Sequence, residues 1–200
     1  GANAILGVSL AYAHLSARVR KIPLYQLIAE MSGQQGKTLP VPMMNIINGG
    51  RHANNLLDIQ EFMIVPIGES FRESLRMGVE VFHHLARLLK KQNLSIAVGD
   101  EGGFAPPIEH AYAALFQLNH AIREAGYTPG KDIFVALDVA ANEFYENGFY
   151  KLRTEEGPKR SVEQLISYYE KLKKEFPIVS IEDGLAEEDW NGWQRLTAQM

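Results

Sequence analysis

Two hundred residues suffice for one or two domains with a buried core. A hydrophobic fraction of 46%, a charged fraction of 22% and a net charge of -4 are ordinary for a globular chain, and Lys and Arg are scattered rather than gathered into a nucleic-acid footprint. The lack of cysteine excludes disulfides, thiolate zinc sites and a cysteine nucleophile, and no stretch approaches the ~20 uninterrupted apolar residues of a membrane span.

In chain order, residues 2–20 are Ala-rich and predict a helix with Ala4, Val8, Ala11 and Leu15 on its apolar face. Pro23 suits the first turn of a second helix reaching Met31. The polar, Gly-containing stretch 32–37 then marks a domain boundary, which divides the chain into 1–38 and 39–200. Beyond it, short apolar runs alternate with amphipathic helices. Ser70 and Glu73 form a capping-box pattern before a helix whose stripe reads Leu75, Val79, Phe82, Leu85 and Leu89. Ala114, Leu115, Leu118, Ala121 and Ile122 make the next stripe, stopped by Gly126. Ser161 and Gln164 cap a third helix, with Val162, Leu165, Ile166, Tyr169 and Leu172 facing inward.

Between these helices, the runs 96–98, 133–137 and 178–181 lack alternation and fit parallel strands buried on both faces. An Asn147-Gly148 hairpin interrupts one unit. Repeated strand–helix units predict an α/β fold, either a doubly wound sheet or a barrel. A full (β/α)₈ barrel takes about 250 residues, so an open or truncated set of units is expected. The chain opens on Gly1 and stops at Met200 within a helical pattern, and the expectation is an internal fragment.

Asp100-Glu101, Asp138 and Glu182-Asp183 each follow one of the three predicted strands, at the end where barrel active sites lie. A single acid there is commonly a helix cap, but each of these is followed by loop residues. Glu61, in Gln60-Glu61-Phe62-Met63, falls by alternation on an apolar face; taken alone it reads as an edge-strand residue reaching solvent. Converging carboxylates without cysteine suit a hard cation, Mg²⁺ rather than Zn²⁺, with Asp138 and Glu182 as the best ligand pair. Glu61 and Glu101 would form a second pair whose mutual repulsion keeps one protonated. Metal and acid together fit a reaction that makes an enolate-like intermediate and expels hydroxide.

Several segments resemble enolase signatures in order and spacing: Pro42-Met43-Met44-Asn45-Ile46-Ile47-Asn48-Gly49-Gly50, Gln60-Glu61-Phe62-Met63, Gly99-Asp100-Glu101-Gly102-Gly103-Phe104-Ala105-Pro106, Ala136-Leu137-Asp138-Val139-Ala140, and Ser180-Ile181-Glu182-Asp183-Gly184-Leu185. The opening Gly1-Ala2-Asn3-Ala4-Ile5-Leu6-Gly7 is similar to the end of the enolase N-terminal domain, and the Val139-Ala140 and Gly184-Leu185 variants resemble bacterial members. The resemblance implies the helical end of an α+β N-terminal domain, then the first part of an irregular βα (TIM-like) barrel whose first strands include an antiparallel pair. It implies Mg²⁺-dependent dehydration of 2-phosphoglycerate to phosphoenolpyruvate.

By position, Glu101 would assist hydroxide departure, Glu61 would help position that hydroxyl, and Gln60 would lie against substrate. Asp138 and Glu182 would bind Mg²⁺. His52, in Gly49-Gly50-Arg51-His52-Ala53, matches a histidine on a mobile loop that closes over substrate; as a bare residue it reads as an exposed loop histidine. His14, His83, His84, His110 and His120 match no family site, and Arg51 occupies a variable position. The resemblance puts a third metal carboxylate, the Lys base and a phosphate-binding segment beyond Met200, so the isolated chain is expected to be inactive. It also implies a homodimer or higher homo-oligomer, no direct nucleic-acid partner, and a cytoplasmic protein with secretion or surface display as in some bacterial relatives. The competing readings are a sugar-acid dehydratase or racemase of the same superfamily, and a non-catalytic paralogue acting as a binding protein.

Overall fold

The computed structural model describes residues 1–153 and 159–200. By internal contacts it consists of two compact units, Gly1–Pro40 and Val41–Met200.

The first unit is a pair of helices, α1 (Ala2–Arg20) and α2 (Leu24–Ser32). Lys21, in the left-handed region, ends α1, and Pro23 stands at the N-cap of α2, one position ahead of its first turn. The expected face of α1 is not buried: Ala4, Val8, Ala11 and Leu15 are exposed, and Ala17 is the one buried residue of that helix. An Ala-rich helix forms on backbone propensity whether or not a partner covers it.

The second unit holds a four-stranded sheet in the order β1 (Met44–Asn48), β2 (Glu61–Pro66), β3 (Ile133–Asp138) and β7 (Ile178–Glu182). The pairs β1/β2 and β2/β3 are antiparallel and β3/β7 is parallel. The sheet does not close on itself, and with the helices beside it this is an α/β, partial-barrel arrangement. Helices α3 (Phe71–Lys91), α4 (Ala111–Glu124) and α5 (Val162–Glu175) supply the other side of one continuous core with Phe62, Ile64, Val135 and Leu137 from β2 and β3. Met63, Val65 and Ala136 form a smaller cluster, as strand alternation requires for residues on the other face.

The α4 and α5 stripes are those expected from the sequence: Ala114, Leu115, Leu118, Ala121 and Ile122 are fully buried, as are Leu165 and Tyr169. Ser161 and Gln164 make a complete capping box. On α3 the register differs. Leu75 and Val79 are exposed, and the buried line runs through Met77, Val81, Leu85, Leu88 and Leu89. Gly78 sits on that line because a Cβ there would stand 2.2 Å from the Met44 sulfur. The capping box at Ser70 is half formed: the Ser70 hydroxyl accepts from the Glu73 amide, but the Glu73 carboxylate turns to Arg76.

Two predicted strands are not buried on both faces. Residues 94–97 form no strand, and Val98, 57% exposed, makes a single bridge to Phe104 because the chain reverses at once through 100–103. β7 lies at the sheet edge, so its outward positions lack a neighbour and Val179 is 55% exposed. The hairpin forms at Asn147-Gly148, both at positive φ, between β4 (Tyr145–Glu146) and β5 (Phe149–Lys151). A third strand, β6 (Lys159–Arg160), extends it, and α6 (Trp190–Gln199) follows β7.

Candidate active site

Strand register assembles the site. Glu61 pairs with Asp138 across β2/β3, and Asp138 pairs with Glu182 across β3/β7. Three acids therefore stand in one row at the C-terminal end of β3 and β7, successive strands being about 4.8 Å apart. Asn48, the last residue of β1 and fully buried, continues the row as the partner of Glu61.

Asn48 also delivers the fourth acid. Its backbone N–H donates to the Phe104 carbonyl (2.8 Å) and its side-chain amide to the Gly103 carbonyl (3.0 Å), pinning the 99–104 turn that carries Glu101. Gly99 is needed in that turn, since a Cβ would lie 2.3 Å from Asn48 Nδ2 and 2.4 Å from the His52 carbonyl. The Asn55 amide braces the same corner through the Asn48 and Pro106 carbonyls. Sequence reasoning missed Asn48 and Asn55, whose partners lie about fifty residues away or in a loop with no periodic signal.

His52 ends a 3-10 turn, Gly50–His52, and its carbonyl accepts from the Asp100 amide (3.2 Å). Its Nδ1 lies 3.4 Å from Glu61 Oε1 and its Nε2 lies 3.9 Å from Glu101 Oε1. His52, Glu61 and Glu101 thus form a compact cluster with donor atoms within 4.8 Å of one another. Each ring nitrogen addresses a different carboxylate, a geometry for an imidazole between two acids rather than for three donors on one ion. The Nδ1 atom is buried without a hydrogen-bond partner among the described residues.

The electrostatics follow from crowding. The Glu61 side chain, 11% exposed, is pushed from an ordinary 4.5 up to about 7. Burial is the largest cause, followed by a hydrogen bond to Glu101 and the charges of Glu101, Asp138 and Glu182. Asp138 is also raised, chiefly by burial; the Ala140 amide and the Gln60 side chain, both bonding its carboxylate, oppose that rise. Gln60, expected against substrate, is thus placed beside Asp138. Ala140 and Asp183, just after two of the acids, occupy the left-handed region, φ 49 and 47. Such non-glycine strain persists where surroundings fix it; here the Ala141 amide donates to the Asp183 carbonyl and the Val139 amide to the Glu182 carbonyl, both at 2.9 Å.

The family model for the enolase C-terminal TIM barrel domain matches residues 36–200, most of the chain. The chain belongs to the enolase family. The antiparallel strands at the start of the sheet, which the apolar runs alone did not predict, agree with what the resemblance to enolases implied. Of the residues expected at an enolase site, the structure brings His52, Glu61 and Glu101 into mutual reach and sets Asp138 and Glu182 in register beside them. No helix among the described residues is long and apolar enough to cross a membrane.

Proposed function

We propose that this chain carries part of the site of a bacterial-type, Mg²⁺-dependent enolase, which dehydrates 2-phosphoglycerate to phosphoenolpyruvate. The observation that supports it best is the carboxylate row Glu61–Asp138–Glu182 with Glu101 brought against Glu61. Oxygen donors at adjacent strand ends fit a hard cation, and Asp138 and Glu182 would hold it. When bound, Mg²⁺ stabilises the negative charge that builds on the substrate carboxylate as the C2 proton leaves.

The chain's own residues handle the leaving group. Burial and three neighbouring carboxylates hold a proton on Glu61 near neutral pH. Glu101, half exposed and hydrogen-bonded to Glu61, passes that proton on to the departing C3 hydroxide, which leaves as water. Glu61 orients the hydroxyl, and Gln60 steadies Asp138. His52 covers the pair, its Nδ1 toward Glu61 and its Nε2 toward Glu101, and closes this side of the site over substrate. The base that takes the C2 proton, a third metal carboxylate and the phosphate ligands belong, on this reading, to the rest of the barrel in a longer parent protein. That parent acts in the cytoplasm as a homo-oligomer, with secretion or surface display as in some bacterial relatives.

The full-length protein incubated with 2-phosphoglycerate should generate phosphoenolpyruvate absorbance with Mg²⁺ and lose it with chelator. A full-length protein inert with metal, or indifferent to its removal, overturns the proposal.

A further inference from the structure

The stretch 50–58, which bears His52, is tied to one neighbour at two points. The Arg51 guanidinium pairs with Glu143, at the start of the hairpin segment. At the other end, Asp58 meets Arg153 ninety-five residues away: the Arg153 amide donates to Asp58 Oδ2 (2.8 Å) and Arg153 Nε donates to Oδ1 (2.9 Å). The second arm of the same guanidinium donates to the Leu57 carbonyl (2.9 Å). That carbonyl already accepts from Gly50 (2.8 Å), the bond that closes the loop on itself. Asp58 is an acid with only 5% of its side chain exposed, and every one of these bonds to it comes from Arg153. The two ion pairs flank a cleft of about 480 Å³ between loop and hairpin.

Although the Arg153 side chain is half exposed, a charge-assisted, forked contact onto a buried carboxylate is stronger than a rim pair and fixes direction as well as distance. The exposed Arg51–Glu143 pair contributes little by comparison. We propose that Asp58 and Arg153 are positioning residues, a clamp that holds the 50–58 loop so that His52 stays against Glu61 and Glu101. Neither residue touches the reacting atoms. They act through the Leu57 carbonyl and the Gly50 amide on a histidine six residues before Asp58. The clamp also links the loop after β1 to the segment after β3, so the His52 side of the site and the Asp138 side move as one piece. The kinetic part of this proposal rests on reading His52 as a substrate ligand; the structural part does not.

The test uses the full-length protein with Arg153→Ala and, as the gentler change, Asp58→Asn. Arg153→Ala removes the guanidinium bonds to Asp58 and to the Leu57 carbonyl, and Asp58→Asn weakens the first; either change shifts a local opening equilibrium by at least about tenfold. Amide hydrogen exchange at Gly50 and His52 should therefore quicken by about tenfold in both variants, with Val135 and Leu137 of β3 unchanged. The KM for 2-phosphoglycerate should rise, by less than the exchange rate because it follows the fraction of closed loop rather than the opening constant, while kcat stays within about twofold. Arg153→Lys, which keeps charge but not the fork, should recover only part of either effect. Unaltered exchange at Gly50 and His52, or faster exchange with KM unmoved, overturns the clamp. If the wild-type protein does not turn over 2-phosphoglycerate at all, the functional reading fails, and the exchange data alone decide the clamp.

Discussion

Replacing Glu61 by Gln removes one charge from a crowded, nearly buried position without changing its shape. Glu61 is lifted from an ordinary 4.5 to about 7 by burial first and by its acidic neighbours second. Between those values the folded protein keeps a proton that the unfolded chain has released. Stability from this group is therefore fully present below about pH 4.5, falls as pH rises through about 7, and is level above. At roughly 1.4 kcal/mol per pH unit the interval corresponds to about 3 kcal/mol. Solvent reaches the pair from the Glu101 side, which is 51% exposed, and screening reduces the expected effect to about 1–2 kcal/mol. The assay is urea unfolding of the full-length protein with chelator present, at about pH 5 and about pH 8. The stability of Glu61→Gln relative to wild type should rise by that amount between the two. Parallel pH curves for the two proteins would refute the reasoning.

Other expectations follow from the same geometry. Asp138→Asn and Glu182→Gln should each move the Mg²⁺ dependence of turnover to higher concentration, read by metal titration; an unmoved midpoint contradicts their role as ligands. Gly99→Ala forces a Cβ to within 2.3 Å of Asn48 Nδ2 and should cost about 1–3 kcal/mol in urea unfolding, whereas an unshifted midpoint would show that the turn yields freely. The isolated 200-residue chain has an open sheet edge at β7 and exposed Val98 and Val179. It should bind a hydrophobic dye and show no dehydration of 2-phosphoglycerate, and measurable turnover by it would contradict the need for the rest of the barrel.

How much was legible depended on whether the deciding contact was local. The α4 and α5 stripes read correctly because Ala114, Leu118 and Leu165, Tyr169 repeat at helical spacing and a short-range cap fixes one end. On α3 two apolar lines lie close together, and the buried one, through Met77 and Val81, is the one on which Gly78 meets the Met44 side chain. The run 96–98 has strand composition, yet the turn at 100–103 gives it one bridge instead of a ladder. For the site, the acids after β3 and β7 were visible as residues following apolar runs, and the register that aligns them with Glu61 needed the antiparallel pairing. The meeting of His52 with Glu61 and Glu101, and that of Asp58 with Arg153, depends on loops closed over long separations and leaves no periodic trace.

The division of labour among the acids can be tested on one substrate in one tube. The Glu101→Gln variant of the full-length protein, with Mg²⁺ and 2-phosphoglycerate in deuterated water, should still exchange the C2 hydrogen, because the base and the metal carboxylates are untouched. Phosphoenolpyruvate should fail to accumulate, because the group that delivers a proton to the leaving hydroxide is gone. Loss of exchange in step with loss of elimination would contradict the assignment of Glu101 to the leaving group.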